Sequence, residues 1–252
     1  MPSKRRRPVP AMLVVAALGL AVAACKSSPT EPSVELTLDH RVLCSPTGHA
    51  FTIAVVDGFF PLVVGRQWVL EGIEDDEGEE ILLRVVITVL DETEVVAGVT
   101  TRVVEERETE DGELIEVSRN YFARTDEGTL CYFGEAVDDY EDGEIVSHDG
   151  AWRADEGSNA PGIFLPANPQ PEMIFQQEDA PGAQDLAGIL ELGATVMVPF
   201  ATYGGALLAQ DCNPVEDPGC NPLEDGDLKA YVEGVGLVAD GPVELIEFDA
   251  GG

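Results

Sequence analysis

Forty-eight acidic side chains and three histidines bound the chemistry open to this chain of 252 residues. Nucleophilic hydrolysis has little to work with, since no Gly-x-Ser-x-Gly occurs and His40, His49 and His148 are scattered. Ser147, His148 and Asp149 are consecutive, but neighbours on a strand point to opposite faces, so they read as a solvated hairpin. No His-Glu-x-x-His and no phosphate-binding glycine loop is present. Paired carboxylates can cleave glycosides, yet with this many acids the sequence selects no particular pair. Calcium has a firmer physical basis, because hard cations take several oxygen ligands from a turning backbone. Residues 138–143, Asp-Asp-Tyr-Glu-Asp-Gly, partly imitate an EF-hand loop, but Tyr140 stands at a ligand position and no helices flank it. Residues 211–227 are the better calcium candidate, with Asp217, Glu224, Asp225 and Asp227 as the expected ligands beside Glu216. The competing reading of that segment is a soluble acidic loop.

Five cysteines carry the remaining covalent chemistry. A cationic start, Lys4 to Arg7, precedes an apolar stretch of fourteen residues, Ala11 to Ala24, which is the layout of an export signal. A helix needs roughly 20 apolar residues to cross the hydrocarbon core, so the stretch is expected to be removed after export. Val22-Ala-Ala-Cys25 resembles the bacterial lipobox. The resemblance implies that residues 1–24 are cleaved and that the Cys25 thiol receives a diacylglyceryl group. Two or more acyl chains, at about 0.8 kcal/mol per buried methylene, make a stable membrane anchor. Lys26 after the cysteine favours the outer membrane by resemblance to enterobacterial sorting. A twin-arginine signal is the rival reading of Arg5 to Arg7, but Pro8 and Val9 continue it poorly. Residues 25–33 have the composition of a flexible tether.

Cys44, Cys131, Cys212 and Cys220 remain, an even number for an oxidising compartment. Cys212 and Cys220 flank a Pro- and Gly-bearing turn, so their pairing is the most economical, and Cys44 then meets Cys131 by elimination. No Cys-x-x-Cys occurs to suggest redox or zinc chemistry.

Loss of the signal removes four bases and no acid, taking the formal charge from -34 to -38. Binding phosphates requires a basic footprint, so nucleic acid is not an expected partner. Such acidity fits a saline habitat, where salt screens self-repulsion, or a capacity for cations. The chain still has the composition of a folded protein, with 44% hydrophobic residues. Residues 34–252 are long enough for one large β domain or at most two small ones.

The elements expected to position these groups are strands. At residues 81–89 the odd positions are Ile, Leu, Val, Ile and Val, while Arg84 and Thr88 lie on the other face. Residues 95–107 and 113–124 flank Asp111-Gly112 as a hairpin, with Ile115, Val117, Tyr121 and Ala123 sharing a side. Further strands are expected at 67–73, 129–133, 144–154, 173–177, 194–198, 204–210, 228–232, 236–239 and 243–248, and a short helix at 184–192. Cys212-Asn-Pro-Val-Glu-Asp and Cys220-Asn-Pro-Leu-Glu-Asp form a duplicated unit that reads as an exposed insertion. Strands joined by short turns predict an all-β fold, an antiparallel meander forming a curved sheet, a sandwich or a partly closed barrel.

Phe59-Phe-Pro-Leu-Val-Val-Gly65 with Trp68, Tyr132-Phe-Gly-Glu135, Gly150-Ala-Trp-Arg-Ala154, Pro161 to Ala167 and Tyr231 to Val238 resemble landmarks of uncharacterised exported bacterial β proteins. That resemblance implies a fold and no activity. Trp68, Tyr132, Phe133, Trp152 and Tyr231 are expected in the core or along an apolar groove. The expected function is a lipid-anchored extracytoplasmic binding or scaffold protein, its partner a protein or small molecule that the residues do not name. Two rivals are a carboxylate-dependent envelope hydrolase, which requires a cleft with facing acids, and a lipid carrier, which requires an apolar cavity.

Overall fold

Alternation with period two, broken by Gly-bearing turns, dictates strands, and the computed structural model is built from them. It describes residues 34–76, 78–215 and 217–252. Cys25, the expected signal at 1–24 and the expected tether at 25–33 lie outside the described residues.

The elements in chain order are α1 (His40–Leu43), β1 (Phe51–Thr52), β2 (Gln67–Asp76), β3 (Glu79–Val96), β4 (Val99–Glu110), β5 (Glu113–Thr125), β6 (Leu130–Glu141), β7 (Glu144–Ser147) and β8 (Trp152–Arg153). They continue as β9 (Ala160–Leu165), β10 (Ile174–Gln176), β11 (Glu178–Asp179), β12 (Leu186–Met197), β13 (Thr202–Cys212), β14 (Asp227–Val232), β15 (Gly236–Asp240) and β16 (Val243–Asp249). From β2 to β6 and from β12 to β16 each strand pairs antiparallel with the next, and β16 returns to pair with β2. The sheet has sixteen strands and curls into a nearly closed barrel with one unsealed seam.

The seam falls between β10 and β11, which are consecutive in the chain. Ile174 to Gln176 pair with β12, whereas Glu178 and Asp179 pair with β9, so one extended segment serves both sheet edges. Between them Gln177 donates its backbone N–H to Asp185 O (2.8 Å) and its side-chain amide to Phe164 O (3.3 Å). The backbones meet so closely that a Cβ on Gly162 would lie 1.8 Å from Gln177 O. An N-terminal strap crosses the same place: Thr37 N donates to Ile174 O (2.8 Å), and His40 and Arg41 both reach Asp179. The Cys44–Cys131 disulfide fixes this strap to β6.

Inside, Trp68, Leu70, Ile189, Leu207 and Leu245 are fully buried. Residues 53–66 carry Phe60 into the barrel, where it stacks on Trp68 (centroids 5.3 Å) and meets Phe122, Phe164 and Tyr231. The chain leaving this plug is held by Arg66, whose guanidinium donates to Ala250 O, Gly234 O and Val235 O.

Three expectations need correction. The chain turns at Ala97-Gly98, where φ is +51° and +79°, so Val95 and Val96 close β3 and do not open the next strand. Residues 184–192 are not helical, because β12 runs from Leu186 with register shifts after Ile189 and Leu192 that disguise its alternation. Residues 144–154 are two strands, β7 and β8, parted by a turn at Asp149-Gly150.

Candidate functional site

The barrel interior departs from an apolar core midway along its length. On β4, Val104, Glu106 and Glu108 face inward by simple alternation, while Arg107 between them is exposed. On β5 the inward face carries Asn120 and Phe122, the side opposite Tyr121 and Ala123. On β6 a register shift where Gly134 takes φ +121° lets both Tyr132 and Glu135 turn inward. A Cβ at Gly134 would lie 2.3 Å from Trp152 O, so glycine is required there. Glu178 enters from the seam, and Lys229 and Tyr231 enter two residues apart on β14.

These residues enclose a cavity of about 160 Å³. Phe60, Phe122, Phe164 and Tyr231 form its aromatic part, and Glu106, Glu178, Asp211 and Asp240 bring carboxylates to it. A second cavity of about 290 Å³ shares Glu106, Lys229, Leu237 and Asp240 and continues past Glu108 and Pro242, toward the end of the barrel carrying the β4–β5 turn. Phe60 and its loop occupy the opposite end.

Specific polar contacts tie the wall together. Lys229 Nζ donates to both oxygens of Asp240 (2.7 Å each) and pairs with Asp211 (3.3 Å). Tyr132 Oη donates to Asn120 Oδ1, and Asn120 Nδ2 donates to Ser118 Oγ (3.0 Å). Trp152 Nε1 donates to Glu178 Oε1 at 3.3 Å. Tyr132 also lies parallel to Phe122 (centroids 4.8 Å) and edge-on to Trp152 (5.3 Å).

Burial makes charge expensive here, and the carboxyls respond by holding protons. Burial, with Asp185 and Glu135 nearby, lifts Glu178 to about 9. Glu135 rises to about 7 through burial, opposed by its hydrogen bond with Tyr132. Glu116 reaches about 7 by burial and the proximity of Glu108 and Asp139. Burial also raises Glu106 well above the usual range, with Glu108 and Asp240 adding to it, and raises Glu108 and Asp211. Lys229 moves the other way from a lone buried amine: burial pulls it down, but Asp240 and Asp211 outweigh that and keep it charged. Burial thus biases Glu106, Glu108, Glu116, Glu135, Glu178 and Asp211 toward the protonated form, around an ammonium that is paired with Asp240 and Asp211.

Apart from Tyr132 and Tyr231, the residues singled out from sequence lie elsewhere. Both disulfides, Cys44–Cys131 and Cys212–Cys220, are formed. Asp217, Glu224, Asp225 and Asp227 are all exposed, and Asp217 Oδ1 is taken by the N–H of Gly219 within its own turn (3.1 Å). Among the described residues no group of three or more His, Cys, Asp or Glu side chains is placed to hold a metal ion, and Glu216 is outside them. Asp142-Gly143 of the EF-hand-like run is the β6–β7 turn, and Asp138 pairs with His148 (2.9 Å). Ser147 Oγ accepts from Asp149 N (2.8 Å) in a turn, with no catalytic alignment. Trp68, Tyr132, Phe133, Trp152 and Tyr231 are all buried, and Tyr132 and Tyr231 line the cavity.

The fold and interior together define an antiparallel barrel with a carboxyl-lined, partly aromatic cavity. No protein-family model matches the sequence, and no curated protein or solved structure shows significant similarity to it.

Proposed function

We propose that this protein is a lipid-anchored extracytoplasmic binding protein whose barrel takes up a small ligand. The observation that carries the reading is the cavity wall: carboxylates facing a buried space weaken a fold unless something occupies that space or exchanges with their protons. The anchor is supported by the lipobox-like Val22 to Cys25 and the polar tether behind it. Lys26 favours the outer membrane, with the domain held off an anionic surface that would repel it.

The test of uptake is a thermal-shift panel of small amines, acids, sugars and lipids against the full chain and against Val104→Trp, which sets an indole into the cavity. At least one class raises the melting temperature of the native protein and leaves the variant unmoved. If no class does so, the reading fails. The anchor is tested separately by radiolabelled palmitate, which enters the native protein and not Cys25→Ser.

A carboxylate-dependent envelope hydrolase is favoured by one observation, a protonated Glu178 near a Glu135 that titrates around neutrality. Turnover of a glycoside panel, abolished in Glu135→Gln, would establish it. A lipid carrier finds less support, because the wall presents carboxyls where acyl chains need apolar surface.

A further inference from the structure

We infer that the ligand is a small organic cation, an ammonium or amidinium group carried on an aromatic or branched apolar body. This inference rests on the uptake reading above and names its ligand class. The argument is one of complementarity. Lys229 is the sole lysine or arginine in the wall among the described residues, and Asp240 and Asp211 already claim it. An anionic ligand would therefore find no free cation among the described residues of the wall to pair with. A neutral ligand brings no charge to answer any of Glu106, Glu178, Asp211 or Asp240 that ionises.

A cation satisfies both parts of the wall at once. Its charge answers the carboxyls as they ionise, while Phe60, Phe122, Phe164, Tyr132 and Tyr231 line the same cavity with aromatic surface that buries apolar atoms. The size agrees: the cavity of about 160 Å³ matches an engineered cavity of about 150 Å³ that holds a benzene ring in another protein. Access is graded in the same sense. The second cavity leads toward turns that expose Asp75, Asp111 and Asp142, and a rim of one sign concentrates counter-ions at its mouth.

Binding must then displace protons. Glu106 and Glu108 face the ligand from β4 and Tyr132 from β6, with Glu116 on β5 behind Glu108 and Glu135 on β6 behind Tyr132. Glu178 faces it from β11 and Asp185 from the following loop, and Asp211, Lys229, Tyr231 and Asp240 complete the wall from β13, β14 and β15. Only the carboxyls release protons near neutrality, so affinity rises with pH.

The experiment is calorimetric titration of the full chain with 2-phenylethylamine, 2-phenylethanol and 3-phenylpropionate, in buffers of different ionisation enthalpy. The amine is expected to saturate one site, quench or shift Trp152 fluorescence and release protons. Its affinity falls about tenfold per pH unit for each proton exchanged as pH is lowered from 8 to 6. Glu178→Gln is expected to weaken the amine about tenfold or more while melting no lower than the native protein. Binding of the alcohol as tight as the amine, or tighter binding of the carboxylate, overturns the cation assignment and leaves uptake standing. Failure of all three compounds also overturns it, and the broader panel then decides whether the barrel binds anything.

Discussion

Glu178 concentrates the conflict between stability and chemistry in one side chain. Its carboxyl is lifted to about 9 by burial, against an ordinary value of 4.5. The folded form thus binds a proton that the unfolded chain gives up, and each unit of pH between those values weakens the fold. Glu178→Gln mimics the protonated group and keeps an acceptor for Trp152. At pH 8 it should melt higher than the native protein by at least roughly 2–4 °C, the shift for about 1 kcal/mol in a domain of this size. The gain should vanish near pH 4.5, as scanning calorimetry at both pH values would reveal. Little of this was legible in the residues. Glu106 and Glu108 alternate with Glu105 and Arg107, a pattern that looks wet on both faces. Tyr121 and Ala123 on β5 mark an apolar side that is not the cavity side, because both faces of that strand are covered. The available signal was acid at every second position in a strand already rich in buried valine.

At the level of elements, the handover from β10 to β11 decides whether the sheet closes. Gly162 permits it, and Gly162→Ala would force β9 away from Gln177 O. A loss of about 1–3 kcal/mol is expected from such crowding, seen as a lower urea midpoint together with faster amide exchange at residues 176–179. Gly134→Ala should act similarly through Trp152 O, since glycine alone tolerates its positive φ. The all-β architecture was legible because alternation in residues 81–89 and 243–248 survives intact, with turns signalled by Asp111-Gly112 and Asp142-Gly143. The Ala97-Gly98 turn and strand β12 were not, because a left-handed alanine and repeated register shifts leave no two-residue rhythm. Barrel closure itself is a pairing between distant segments, β16 with β2, which local pattern cannot announce.

Taken over the whole domain, the raised carboxyls add in one direction. Glu116 and Glu135, each near 7, and Glu178, near 9, all stabilise the folded state most below 4.5 and lose that contribution as pH climbs. The melting temperature of the full chain should therefore rise on going from pH 8 to pH 5, contrary to proteins whose acids are paired with bases. The covalent frame sets the scale of tolerance to this. Replacing Cys44 and Cys131 by serine opens a loop spanning 87 positions, at about 4–5 kcal/mol in the chain-entropy model. Replacing Cys212 and Cys220, separated by 8, costs about 2.5 kcal/mol, and urea titrations of the two variants should preserve that order. The strap across the seam has a mechanical meaning as well. Tension applied from the N-terminal side first shears the Thr37–Ile174 bonds and the contacts with Asp179. It then meets a sulfur–sulfur bond that hands the load to β6 on the far side of the seam.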